Sequence, residues 1–255
     1  MPNDAKKRTG YDVYKKGHIK DARFFDMDKV ADTSSPYPHM LPTPELFRDS
    51  MRQLGIKRDD TVVVYDSAEL GIFSAPRVAW TFRVFGHSAV HILNNFKIWV
   101  DQGYPVEEGE QQTVEETQYP TPELDQSRVT AFEDVEIAVF DHNKEGGEQI
   151  QVLDARPAGR WKGTDAEPRP GLASGHMPGS ISVPFTELLD PNTKGLLQPE
   201  ELRKVLDEKN VDPNKPIISS CGTGVTAAMI DTALIEAGYG NGKRQFAISG
   251  SVGGV

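Results

Sequence analysis

The chain has 255 residues, enough for one large or two ordinary domains. A net charge of −10 with no offsetting basic stripe argues against a nucleic-acid surface. A mean hydropathy of −0.48, and no apolar run near the ~18 residues of a membrane span, argue against a membrane protein. One cysteine forms no internal disulfide, which points to an intracellular chain. Met1 to Lys16 is basic but has no apolar core and carries Asp4 and Asp12, so no targeting segment is recognisable. The mitochondrial matrix and the cytoplasm both suit such a chain. The histidines show no metal-ligand spacing, and neither metal nor cofactor is assigned.

In chain order, Gly17-His18-Ile19 leads to Ala22–Asp28, a short apolar strand candidate. A loop of turn residues, Ser34 to Pro42, follows. Pro44 to Leu54 has the spacing of an amphipathic helix and stops at Gly55. Thr61 to Asp66 predicts a buried strand, Ala75 to Phe85 a helix closed by Gly86, His91 to Asn94 a strand and Phe96 to Gln102 a short helix. Alternating strands and helices mean an α/β layer on a mostly parallel sheet. From Val106 to Ser127 the chain turns acidic and poor in apolar residues, so the domain boundary is expected there.

The second half repeats the first. Gly175-His176-Met177 echoes Gly17-His18-Ile19, Pro199-Glu200 echoes Pro44-Glu45 (199 − 44 = 155), and Cys221 echoes Asp66 (221 − 66 = 155). Order, spacing and residue type agree, which indicates two copies of one α/β unit. The expected domains are 1–106, a linker 107–130, and 131–255. A carboxylate cannot do a thiolate's sulfur chemistry, so only the second copy can be catalytic.

Cys221 lies in Ile217-Ile218-Ser219-Ser220-Cys221-Gly222-Thr223-Gly224-Val225, an apolar strand followed by a Gly-punctuated turn. Val225 to Ala237 then has helical spacing and ends at Gly238. At such a junction backbone N–H groups converge on the sulfur, and the positive end of the helix dipole favours a thiolate. A lone cysteine is more often a small buried hydrophobe; the strand–Cys–Gly–x–Gly–helix context favours the reactive reading.

These residues resemble tandem rhodanese-domain sulfurtransferases. The resemblance runs through Gly17-His18-Ile19, Thr33 to Pro42, Ser74-Ala75-Pro76-Arg77-Val78, Asp154 to Arg160, Gly175 to Ser180 and the cysteine loop. It implies two three-layer α/β/α domains in tandem, the first inactive and lacking its first strand. Within the family, Cys221-Gly222-Thr223-Gly224-Val225 is similar to the small neutral loop of the mercaptopyruvate branch, with Thr for Ser, rather than to the basic loop of thiosulfate-using members.

The resemblance implies sulfur transfer from 3-mercaptopyruvate through a Cys221 persulfide, held by the N–H groups of Gly222, Gly224, Val225 and Thr226. A thiol, a thioredoxin-like protein or cyanide would accept the sulfur. Arg160 and Arg169 would bind the donor's carboxylate and keto oxygen, bidentate recognition being what a guanidinium supplies; without the resemblance both read as solvated loop arginines. An Asp28–His39–Thr223 relay would handle the thiol proton, the alternative being a His39 that only packs among prolines. The family pattern also has a core strand before residue 17 and an aromatic-rich segment with a closing helix after residue 249, so both ends read as truncated.

Three rivals stand against this reading. A loop-cysteine phosphatase needs arginine six positions after the cysteine, where this chain has Ala227. A thiosulfate sulfurtransferase differs only in donor. A non-catalytic rhodanese pair would merely carry sulfur.

Overall fold

The computed structural model describes residues 7–141, 149–168, 171–239 and 244–247. The chain divides into two compact units, Met1–Ser34 with Leu41–Leu124, and Ser35–Met40 with Asp125–Val255.

In the first unit the elements are α1 (Gly10–Tyr14), α2 (Pro44–Gln53), β1 (Val62–Val64), α3 (Ala75–Val84), β2 (Val90–Ile92) and α4 (Phe96–Asp101). α2 begins because the Thr43 side chain accepts the Leu46 N–H at 3.2 Å and Pro44 occupies the first turn. It ends at Gly55, whose φ of 63° only glycine adopts without cost. Phe47 and Met51, four residues apart, are fully buried against Phe82, Phe85 and Tyr119. The Phe47 ring stacks on Phe85 at 4.5 Å and meets Phe82 edge-on at 5.4 Å.

β1 pairs in parallel with β2. Ala22–Asp28, expected to be a strand, is irregular. The Phe24 N–H donates to the Gln111 side chain at 2.7 Å rather than to a ladder, and a strand exists only through such a ladder. The acidic segment expected within the linker packs on this unit: Tyr119 is buried, Thr117 Oγ1 donates to the Ile56 carbonyl at 2.7 Å, and Glu107 bridges His18. Its few apolar residues are well placed, which a composition average conceals.

The second unit contains β3 (Val129–Thr130), α5 (Phe132–Asp141), β4 (Gln151–Asp154), α6 (Ala158–Lys162), β5 (Ile181–Ser182), α7 (Pro199–Glu208), β6 (Ile217–Ser220), α8 (Val225–Ala237) and β7 (Arg244–Ala247). Its sheet has the order β3-β7-β6-β4-β5, every pair parallel. Parallel strands flanked by neighbours are buried, and all four residues of β6 are. α8 carries apolar residues all around its axis and is buried along most of its length.

The repeat is visible in the packing. The buried pair Leu202 and Leu206 of α7 stands 155 residues after Phe47 and Met51 (202 − 47 and 206 − 51). Asn210, with φ 59°, closes α7 as Gly55 closes α2. His18 Nδ1 lies 3.0 Å from the Tyr14 carbonyl oxygen and its ring stacks on Tyr14 at 3.9 Å; His176 Nδ1 lies 2.7 Å from the Trp161 carbonyl oxygen and stacks on Trp161 at 3.8 Å. Each Gly-His pair thus locks its loop onto an upstream aromatic residue.

The units differ in their sheets. β6 has β7 on one flank and β4 on the other, whereas β1 has β2 as its single neighbour among the described residues. Beside β1 runs a cavity of about 520 Å³ lined by Phe24, Met27, Val63, Tyr65 and Phe96. Val63 is 55% exposed, while Ile218, related to it by the repeat (218 − 63 = 155), is 1% exposed.

Candidate active site

From β4 the chain crosses to β5 on one side and then to β6 and β7 on the other. The carboxyl ends of β4 and β6 therefore meet at the switch point, where the loops diverge to either side. Cys221 leaves β6 at this point; Arg156 and α6 leave β4 beside it.

Cys221 is half-buried. The Gly224 N–H points at its Sγ at 3.1 Å. Gly224 has φ 75°, a left-handed turn that aims this N–H back at the sulfur just before α8 begins. With α8 thirteen residues long, its positive dipole end and its first free N–H groups face the same loop. Val225 is buried as the first helical residue, and Thr223 and Thr226 are half-buried. The loop thus offers the sulfur one backbone N–H donor and the start of a helix.

Arg160 sits on α6, not in the following loop. A Cβ placed on Gly222 would stand 3.3 Å from Arg160 Nη2, so the guanidinium lies directly against the cysteine loop. Its Nε donates to Glu167 Oε1 at 3.1 Å and its Nη2 to Oε2. Arg156 Nη1 donates to Glu167 Oε1 at 3.0 Å, and Arg156 Nε and Nη2 fork onto Asp154. Burial pushes the Glu167 carboxyl up, but the Arg160 and Arg156 guanidiniums outweigh it and hold the group below the usual carboxylate range. Burial likewise opposes the charge of Arg156, and the Asp154 and Glu167 carboxylates more than restore it.

Among the remaining sequence candidates, Arg169 lies outside the described residues. Thr223 and His39 belong to the second unit and Asp28 to the first. His39 is half-buried and holds φ 62°, a left-handed conformation uncommon for residues other than glycine. Asp28 is exposed, and its N–H donates to Asp26 Oδ1 at 3.2 Å. Sequence reasoning missed Arg156 and Glu167. Their signal was only a mixture of charges, Asp154, Arg156, Arg160 and Glu167, at irregular spacing that no helix or strand period selects.

The first unit's equivalent of Cys221 is filled by the protein itself. Asp66 is buried, and its carboxylate accepts N–H groups of Phe73 (2.7 Å), Ser74 (2.9 Å) and Ala75 (2.8 Å) and the Ser74 hydroxyl. Burial pushes its carboxyl up, opposed by these four donors. Among the described residues no group of His, Cys, Asp and Glu is arranged to hold a metal, and no helix is long and apolar enough to cross a membrane.

A rhodanese-like domain model matches residues 137–251. The chain is 41% identical over 219 residues to the 3-mercaptopyruvate sulfurtransferase of Rattus norvegicus, covering 85% of this chain and 70% of that protein. It is 40% identical over 243 residues to thiosulfate sulfurtransferase TUM1 of Saccharomyces cerevisiae, covering 90% and 78%. The crystal structure of SseA from Escherichia coli, described as a 3-mercaptopyruvate sulfotransferase with the rhodanese fold, superposes with a TM-score of 0.80 at 35% identity, covering 96% of this chain and 87% of that one. Names for both donors thus occur at nearly equal identity.

Proposed function

The chain belongs to the tandem rhodanese-domain sulfurtransferases and moves sulfur from a small donor to a thiol acceptor; from that premise we propose that Cys221 carries the sulfur and that the donor is 3-mercaptopyruvate. Overall identity does not separate the donors, so the choice rests on the loop. Gly222, Thr223 and Gly224 present backbone N–H groups and no side-chain cation. The guanidinium beside them, Arg160, is already paired with Glu167. Such a site suits a monoanionic carboxylate donor better than dianionic thiosulfate.

In this reading the Cys221 thiolate attacks the sulfur of mercaptopyruvate. The S–S bond forms as the C–S bond breaks, and the electron pair leaves with pyruvate as its enolate, which takes up a proton. The persulfide rests in the cradle formed by Gly222, Gly224, Val225 and Thr226. Arg160 and Arg169 orient the donor's carboxylate and keto oxygen; Asp28, His39 and Thr223 relay the thiol proton. An acceptor thiolate, a thioredoxin-like protein or cyanide then takes the outer sulfur and regenerates the Cys221 thiolate. The chemistry suits the cytoplasm or the mitochondrial matrix, where reducing conditions keep the thiol free.

The test is kcat/KM for mercaptopyruvate against thiosulfate on the purified chain, with intact mass after donor exposure. Mercaptopyruvate is expected to be the better donor and to leave one added sulfur on Cys221. Thiosulfate proving better would overturn the donor assignment, and turnover without a persulfide on Cys221 would overturn the carrier.

A further inference from the structure

The charges beside the cysteine loop form an ordered series. Asp154, with its side chain 1% exposed at the end of β4, accepts Arg156 Nε at 3.0 and 3.1 Å and Nη2 at 2.6 Å. Arg156 also donates to the Gly175 carbonyl at 2.7 Å, which leaves Nη1 for Glu167 at 3.0 Å. Glu167, with its side chain only 5% exposed, then takes the fork of Arg160. The series alternates in sign, and its two carboxylates balance its two guanidiniums. Arg160, its last member, stands against Gly222. A buried carboxylate in bidentate contact fixes a guanidinium's orientation and cancels much of its field nearby.

Building on the reading that Cys221 carries the sulfur, we propose that Glu167 is a specificity-determining residue: by pinning and neutralising Arg160 beside the cysteine loop, it keeps the site selective for a singly charged donor and disfavours a dianion. Arg160 then supplies directional N–H donors to one carboxylate without turning the loop into a basic pocket. Arg156 holds Glu167 from behind, so the carboxylate stays in place while a donor comes and goes.

The experiment exploits the single cysteine of the chain. Alkylation rates of Cys221 by iodoacetate and by iodoacetamide are measured at one pH. Their ratio reports the local charge and cancels the ionisation of the thiol itself. Glu167→Gln should raise the ratio about three- to tenfold, the effect of unmasking one charge several Å away at intermediate dielectric. Adding Arg160→Gln to Glu167→Gln should return the ratio to the wild-type value, and Glu167→Asp should leave it nearly unchanged. Arg160→Gln alone, which strips no buried carboxylate of both its partners, should lower the ratio and serves if Glu167→Gln does not fold. In parallel, Glu167→Gln should raise the thiosulfate-to-mercaptopyruvate ratio of kcat/KM, chiefly through KM for thiosulfate.

A purely structural Glu167 would lower both donors' turnover together and leave the alkylation ratio alone. An unchanged ratio in Glu167→Gln, or in Arg160→Gln where that variant stands in, overturns the proposal. The alkylation arm needs no donor, so it separates this proposal from the donor assignment: a wild-type preference for thiosulfate would sink the latter and leave the former standing or falling on its own result.

Discussion

The Asp66 and Cys221 junctions occupy equivalent strand-to-helix positions in the two copies but are closed by different loops. The register offset between the copies is 155 up to these two residues, but the helices after them start at Ala75 and Val225, an offset of 150. The first-copy loop is therefore five residues longer (155 − 150). Those extra residues let the turn fold around the carboxylate, with three N–H groups and a hydroxyl spent on Asp66. The short second-copy loop aims one N–H at the sulfur and leaves its mouth half-buried. The two junctions thus differ in loop length and in how many donors the loop spends on the residue at the strand end.

The sharpest way to break this comparison is to remove each anion in turn. Cys221→Ser should abolish sulfur transfer, whereas Asp66→Asn should leave turnover per folded molecule near the wild-type value. Asp66→Asn should instead lower stability by about 1–3 kcal/mol, because an amide group now faces N–H donors. Donor kinetics and denaturant melts on both variants separate the two effects. Loss of turnover in folded Asp66→Asn would show that the first copy takes part in chemistry.

The sheets offer a second contrast. Ile218→Ala, in a strand flanked on both sides, should cost about 2–5 kcal/mol in a urea melt. Val63→Ala, at the related but exposed position, should stay within about 0.5 kcal/mol. Equal costs at the two positions would mean that β1 is covered in solution.

Arg160→Ala should lower kcat/KM for mercaptopyruvate roughly ten- to a hundredfold, the loss of charge-assisted hydrogen bonds worth about 1.5–3 kcal/mol. Lys at this position should recover only part of it, since an ammonium lacks the fork. Unchanged kinetics in both would make Arg160 a structural partner of Glu167 and nothing more.

The smallest expected effect is a pH dependence of stability. The Glu167 carboxyl titrates lower in the folded chain than in the unfolded one. Between the two values the unfolded chain binds more protons, so this contribution is complete above the unfolded value and fades as pH falls through the folded one. The difference in Tm between wild type and Glu167→Gln should therefore shrink below about pH 4.5, the ordinary range of a glutamate. A difference that stays constant through that range would mean that Glu167 draws no stability from its charge.

Much of this was legible because it is written locally. The helix from Val225 to Ala237 carries its own start and stop in Gly224 and Gly238, and the structure has those bounds. The 155-residue repeat places Leu202 and Leu206 where Phe47 and Met51 are, since helix faces follow from spacing alone. The cysteine at a strand–helix junction was likewise visible as a pattern. The irregular run from Ala22 to Asp28 was not: its residues alternate well enough, but a strand needs a neighbour, and Gln111 takes the Phe24 N–H instead. Tyr119 looked like linker because burial depends on where His87 and Phe47 lie, and neither is near it in sequence.

By itself, the sequence determined the α/β character, the two copies and which copy holds the cysteine, because periodicity and residue chemistry are local properties. Only the tertiary structure decided that Arg160 faces Gly222, that Glu167 holds it, and that Asp66 fills its own cradle. The first two come from loops leaving adjacent parallel strands at the switch point and the third from a long loop folding back on its own strand end, and electrostatic pairing acts through distances that no sequence spacing encodes.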